Sequence, residues 1–138
     1  MTAPSPRVRE ATYLRDNGCV AAGHRLTGDC FGRLEWNHRE GSGMGGRGSK
    51  ARTVDTSDGV VLCSSHNARA ESDLAGLAKR MGWKIPRFRD DIPARFIPFF
   101  YSPAREWRVP DMSGGYRVCS PIEAQAMLLD AGCIEEER

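Results

Sequence analysis

"DGVVLCSSHNARAE", residues 58–71, decides how the chain folds. Val60, Val61 and Leu62 make a short apolar run with β-branched residues, which predicts a strand from about Gly59 to Cys63. From Ser65 the period changes. Ala70, Leu74, Leu77, Ala78 and Met81 recur at helical spacing and Gly82 marks a stop, so one helix is expected over about 65–82. Cys63 and His66 fall at the strand-to-helix turn as C-x-x-H, a geometry that can aim two soft ligands at one metal.

Upstream, "GRLEWNH" (32–38) alternates Leu34, Trp36 and His38 with Glu35 and Asn37, as a half-buried strand does. A glycine-rich loop follows. Residues 38–82 therefore read as strand end, loop, strand, helix. "SPRVREATYLRDNG" (5–18) predicts a short helix capped by Ser5, with Pro6 in its first turn and Gly18 just beyond its end. Downstream, "WKIPRF", "RFIPFFY", "EWRVP" and "GYRVC" predict four short strands in a small antiparallel sheet or meander. "SPIEAQAMLLDAG" (120–132) predicts a terminal helix, with Ser120 as cap, Glu123 closing a capping box and Gly132 as stop. The fold class is α+β, with a core over 1–83 and a β-rich extension over 84–138 that ends in a helix.

The chain has 138 residues and a net charge of +2, unevenly spread. Residues 1–90 carry 15 Lys/Arg against 10 Asp/Glu, and residues 91–138 carry 5 against 8. Around the glycine loop, Arg39, Arg47, Lys50 and Arg52 are offset only by Glu40, which favours a polyanionic partner over a membrane or a cationic ligand. No apolar run approaches the roughly 20 residues needed to span a bilayer, and "MTAPSPRVRE" has no signal-peptide core, so a cytoplasmic location is expected.

Five cysteines in a reducing compartment read as metal ligands or buried thiols rather than as a disulfide framework. Cys19 and Cys30 complete a Cys3His set with Cys63 and His66, suited to a structural zinc that clips the N-terminal loop onto the base of the helix. His24, in "GHRLTG", is a rival for one position. His38 ends the first strand, Asp58 opens the second and Asn67 begins the helix, so the three are expected to converge at the mouth of the loop. That set suits phosphodiester hydrolysis: a general base activates water, a divalent cation neutralises charge on the phosphate, and a bare basic backbone lets DNA approach.

The run from about Cys19 to Asp73, some 55 of the 138 residues, resembles the HNH endonucleases of ββα-metal fold, particularly small zinc-stapled versions encoded by actinobacterial phages. "LEWNHR", "GMGG" and "VLCSSHNARAE" match the family's order of strand-ending histidine, Gly-rich loop and cysteine turn into the helix. Trp83 to Arg117 resembles the tail that follows the motif in such proteins. The resemblance implies His38 as general base, Asp58 at the central position that orients the base or its loop, and Asn67 as helix ligand of a catalytic Mg²⁺ or Mn²⁺. Asn37 departs from the family, which places Asp or His there as the other ligand, and a neutral amide binds a hard cation less well. Glu71, one turn past Asn67, is a further candidate ligand. The function so implied is a metal-dependent endonuclease acting on double-stranded DNA, with a phage packaging or other phage protein as a further candidate partner. The rival readings are a zinc-stapled DNA-binding module with weak or lost cleavage, and a small interaction protein whose basic loop contacts an acidic partner.

Overall fold

Strands β1 (Leu34–His38) and β2 (Gly59–Cys63) pair antiparallel, from Leu34 opposite Cys63 to His38 opposite Gly59. A computed structural model describes residues 3–40, 53–86 and 92–136. Every residue of β2 is buried, and its outer edge needs hydrogen-bond partners that no neighbouring strand among the described residues supplies. Helix α1 (Pro6–Asp16) and the loop after it supply them. The Asp16 carboxylate accepts the Val61 N–H at 2.9 Å, Val20 N–H donates to Val61 O at 2.9 Å, and Arg15 donates to Gly59 O at 2.7 Å. Arg15 and Asp16 also pair with each other at 2.7 Å, with both side chains fully buried. Ser5 caps α1 through the Val8 N–H, and Asn17 closes it in the left-handed conformation.

Helix α2 (Ser64–Arg69) starts directly from β2, and α3 (Ala75–Arg80) follows after a turn. The single helix expected over 65–82 is therefore broken. Ser72 and Asp73 fall at the break; the Ser72 hydroxyl donates to the Ala68 and Arg69 carbonyls, and Arg69 O takes N–H groups from both Ser72 and Leu74. Such local bonds compete with the regular helical ladder. The apolar spacing survives the break, because Ala70, Leu77 and Ala78 all enter one core with Val20, Val60, Leu62, Trp83, Phe99 and Tyr101.

Strands β3 (Phe99–Tyr101), β4 (Glu106–Pro110) and β5 (Tyr116–Cys119) form a second antiparallel sheet in that order. Three of the four expected strands are present among the described residues. In "WKIPRF", Ile85 makes only an isolated parallel bridge to Glu40, and residues 87 and 88 lie outside the described residues. Helix α4 (Pro121–Asp130) is capped by Ser120 as expected, but the Glu123 carboxylate pairs with Arg117 at 2.8 Å instead of closing the capping box. This sheet and α4 share a second core of Ile97, Trp107, Val109, Ala124 and Leu128.

The two cores meet across the 83/84 boundary. Met81 packs against both, Phe99 and Tyr101 belong to the first, and the Tyr101 hydroxyl donates to Asp16 O at 2.6 Å. Arg39 is the main tie. It was expected to face a polyanion, yet it is fully buried, with its guanidinium donating to Gly82, Ser57, Ala94, Ile97 and Pro98 carbonyls at 2.7–3.2 Å. Its planar fork suits several carbonyls at once, which makes it a structural cation and not part of a nucleic-acid surface. No helix among the described residues is long and apolar enough to cross a membrane.

Candidate metal centre and adjoining cleft

The four residues read as a Cys3His set come together. Sγ of Cys19, Cys30 and Cys63 and a ring nitrogen of His66 all lie within 4.8 Å of one another. A tetrahedral zinc with metal–sulfur bonds of about 2.3 Å needs ligand atoms roughly 3.7 Å apart, so the donor set fits a metal of that type. Cys63 sits where β2 passes into α2, with its sulfur accepting the His66 N–H at 3.4 Å. The upstream loop is fastened beside it by Ser64 N–H to Arg33 O and Ser65 N–H to Phe31 O.

His66 shows which nitrogen is offered. Its Nε2 lies 3.0 Å from Thr27 O, and because a carbonyl only accepts, Nε2 carries the proton. Nδ1 is left with its lone pair, 3.4 Å from Cys19 Sγ and 3.7 Å from Cys30 Sγ. A second hydrogen bond of this kind fixes the ring and tautomer of metal-ligating histidines. Burial pushes the Cys19 thiol up to about 12 and raises Cys30 as well. For Cys63 burial acts in the same direction, but it is outweighed by the backbone N–H groups of His66 and Phe31 and by the neighbouring thiols, which together hold it below the usual thiol value. A cation at the centre would satisfy all three sulfurs together. His24 is outside the cluster; its ring packs edge-on against Trp83 and Phe100.

On the same β1–β2–α2 unit, a cleft of about 490 Å³ is lined by Glu35, Asn37, His38, Asn67, Glu71 and Lys84, among others. His38, the last residue of β1, and Asn67, in the first turn of α2, are thus brought to one cavity. Asn67 Nδ2 donates to Glu35 Oε1 at 2.9 Å. Asn37 was expected on the exposed face of its strand, but it is buried, with Nδ2 donating to Trp83 O and Oδ1 accepting from Lys84 Nζ at 2.8 Å. Lys84 Nζ also donates to His38 O at 3.2 Å and pairs with Glu71 Oε1 at 2.6 Å.

Asp58 is not among the cleft-lining residues. Its carboxylate accepts the Asp55 N–H at 2.8 Å, closing a capping box around the short 3-10 turn Thr56–Asp58, while its carbonyl accepts the Arg39 N–H. Arg47, Lys50 and Arg52 lie outside the described residues. Sequence patterns gave no sign of Lys84, which is far from the strand it touches, or of Thr27 as the orienting partner of His66.

Fold and site together define a mixed α+β protein with, among the described residues, two small antiparallel sheets and a Cys3His cluster that could hold a metal ion such as zinc. Compared with family models, curated proteins and solved structures, the chain gives no match.

Proposed function

We propose that this chain is a metal-dependent DNA endonuclease stapled by a structural zinc, phage-encoded and acting on double-stranded DNA in the host cytoplasm. The observation that carries the reading is that His38 and Asn67 line one cleft on the same β1–β2–α2 unit whose base holds the Cys3His cluster. Cys19, Cys30, Cys63 and His66 would hold the zinc, which would fasten the loop to the start of α2. His38 takes the proton of a water whose oxygen attacks phosphorus, and the bond from phosphorus to the leaving oxygen breaks. Asn67 and Glu71, with Asn37 beside them, would hold a Mg²⁺ or Mn²⁺ ion, which would supply neutralisation of the charge developing on the phosphate and on the leaving oxygen, the latter taking its proton from solvent.

A second reading, a zinc-stapled module that binds DNA without cutting it, is favoured by one observation. Asn37 is a neutral amide and its oxygen already accepts from Lys84. Supercoiled plasmid incubated with zinc-loaded protein and Mg²⁺, Mn²⁺ or Ni²⁺ separates the two. Nicked or linear product supports the endonuclease, whereas a salt-dependent gel shift with no product under any of the three ions supports the module.

A further inference from the structure

Lys84 is held in the cleft more firmly than a surface lysine. Its side chain is 12% exposed, and among the described residues its ammonium meets three oxygens, Asn37 Oδ1 at 2.8 Å, His38 O at 3.2 Å and Glu71 Oε1 at 2.6 Å. An ammonium has three donors, so this set uses all of them. The backbone on either side is fixed as well. Trp83 O accepts from Asn37 Nδ2, Trp83 Nε1 donates to Phe100 O at 2.8 Å, and Ile85 N–H donates to Arg39 O at 2.7 Å. The four-carbon stem therefore enters the cleft from an anchored segment that belongs to neither strand nor helix of the β1–β2–α2 unit.

We propose that Lys84 is the resident cation of this cleft: its ammonium competes with a divalent cation for Asn37 and Glu71, and withholds them until an anionic phosphate offers the lysine another acceptor. The inference rests on the proposed function for the assignment of Asn37 and Glu71 as cation ligands. An amide oxygen that accepts from an ammonium is not offered to a metal, and two cations a few ångströms apart repel. A ligand shifts such an equilibrium only through its different affinity for the two arrangements, and a phosphate, which attracts both cations, can favour the one with lysine withdrawn. The resting cleft then binds divalent metal weakly and gains affinity when the ammonium is removed.

The test is Mn²⁺ binding by electron paramagnetic resonance to zinc-loaded protein free of nucleic acid, in wild type, Lys84→Met, Lys84→Gln and Lys84→Arg. Methionine keeps the stem's length and apolar packing, glutamine repeats the neutralisation with a different side chain, and zinc content with melting temperature verifies the fold of each. We expect Met and Gln to tighten Mn²⁺ binding by about tenfold, the factor that corresponds to one charge-assisted hydrogen bond, and Arg to stay near wild type. Adding Glu71→Gln to Lys84→Met should abolish the gain. Equal Mn²⁺ affinity in wild type and both neutral variants would overturn the competition while leaving the cation ligands in place. Absence of any Mn²⁺ site in all variants would overturn the ligand assignment, and the inference with it.

Discussion

Replacing Arg39 with Met tests whether the residue is a structural tie or a phosphate contact. The guanidinium is fully buried and donates to five carbonyls drawn from four parts of the chain, with Phe99 lying 5.6 Å from its charge centre. Burial pushes its pKa down to about 10, so it remains charged at neutral pH. The desolvation of that charge offsets much of what the bonds contribute, and simple addition of five charged hydrogen bonds would overshoot. The stranded carbonyls set the cost. At about 1 kcal/mol for each, less where a carbonyl keeps another donor, the loss is about 3–5 kcal/mol. That is a large share of the roughly 5–15 kcal/mol that holds a typical domain together. Urea unfolding of zinc-loaded protein measures it. Arg39→Lys should recover only part, since one ammonium cannot span five acceptors. For the fraction that stays folded, the salt dependence of DNA binding should be unchanged. A loss below about 1 kcal/mol together with a shallower salt slope would refute the placement of Arg39.

Other consequences follow from the same geometry. Cys63→Ser should lose both zinc and cooperative folding, while His24→Ala should retain one zinc per chain by metal analysis; loss of zinc only in the latter would move a ligand position to His24. Asn37→Asp made together with Lys84→Met, so that no ammonium holds the new carboxylate, should tighten Mg²⁺ binding, read from a metal titration of plasmid nicking, because a carboxylate is the better ligand for a hard cation. Gly82→Ala should lower the melting temperature without altering zinc content. Gly82 has φ +71, and an added Cβ would fall 2.0 Å from the Pro98 carbonyl oxygen.

Much of this structure is written locally. The C-x-x-H spacing, the apolar run before it and the serine caps at Ser5 and Ser120 each depend on residues within a few positions, and each appears where those residues put it. The Cys3His cluster joins residues up to 47 positions apart, and it was legible because its C-x-x-H half is local and Cys19 and Cys30 are the cysteines nearest to that half in sequence. What was not legible depends on distant contacts. Helical periodicity ran through Ser72 and Asp73 because apolar spacing does not register backbone competition from a hydroxyl. A basic residue beside a glycine loop reads as a surface charge, and Arg39 is buried by distant partners, the carbonyls of Ser57, Gly82, Ala94, Ile97 and Pro98, which local sequence does not announce. Asn37 followed strand alternation on paper, but the segment at Trp83 and Lys84 covers the face that alternation leaves open.

The central claim is tested most directly by single-turnover cleavage of supercoiled plasmid, with wild type and His38→Ala purified side by side at equal zinc content. His38 ends β1 and lines the cleft shared with Asn67. The variant should keep its fold, zinc and DNA affinity while the rate falls by about 10²- to 10⁴-fold, the range for loss of a general base. Equal rates in the two proteins would contradict the account.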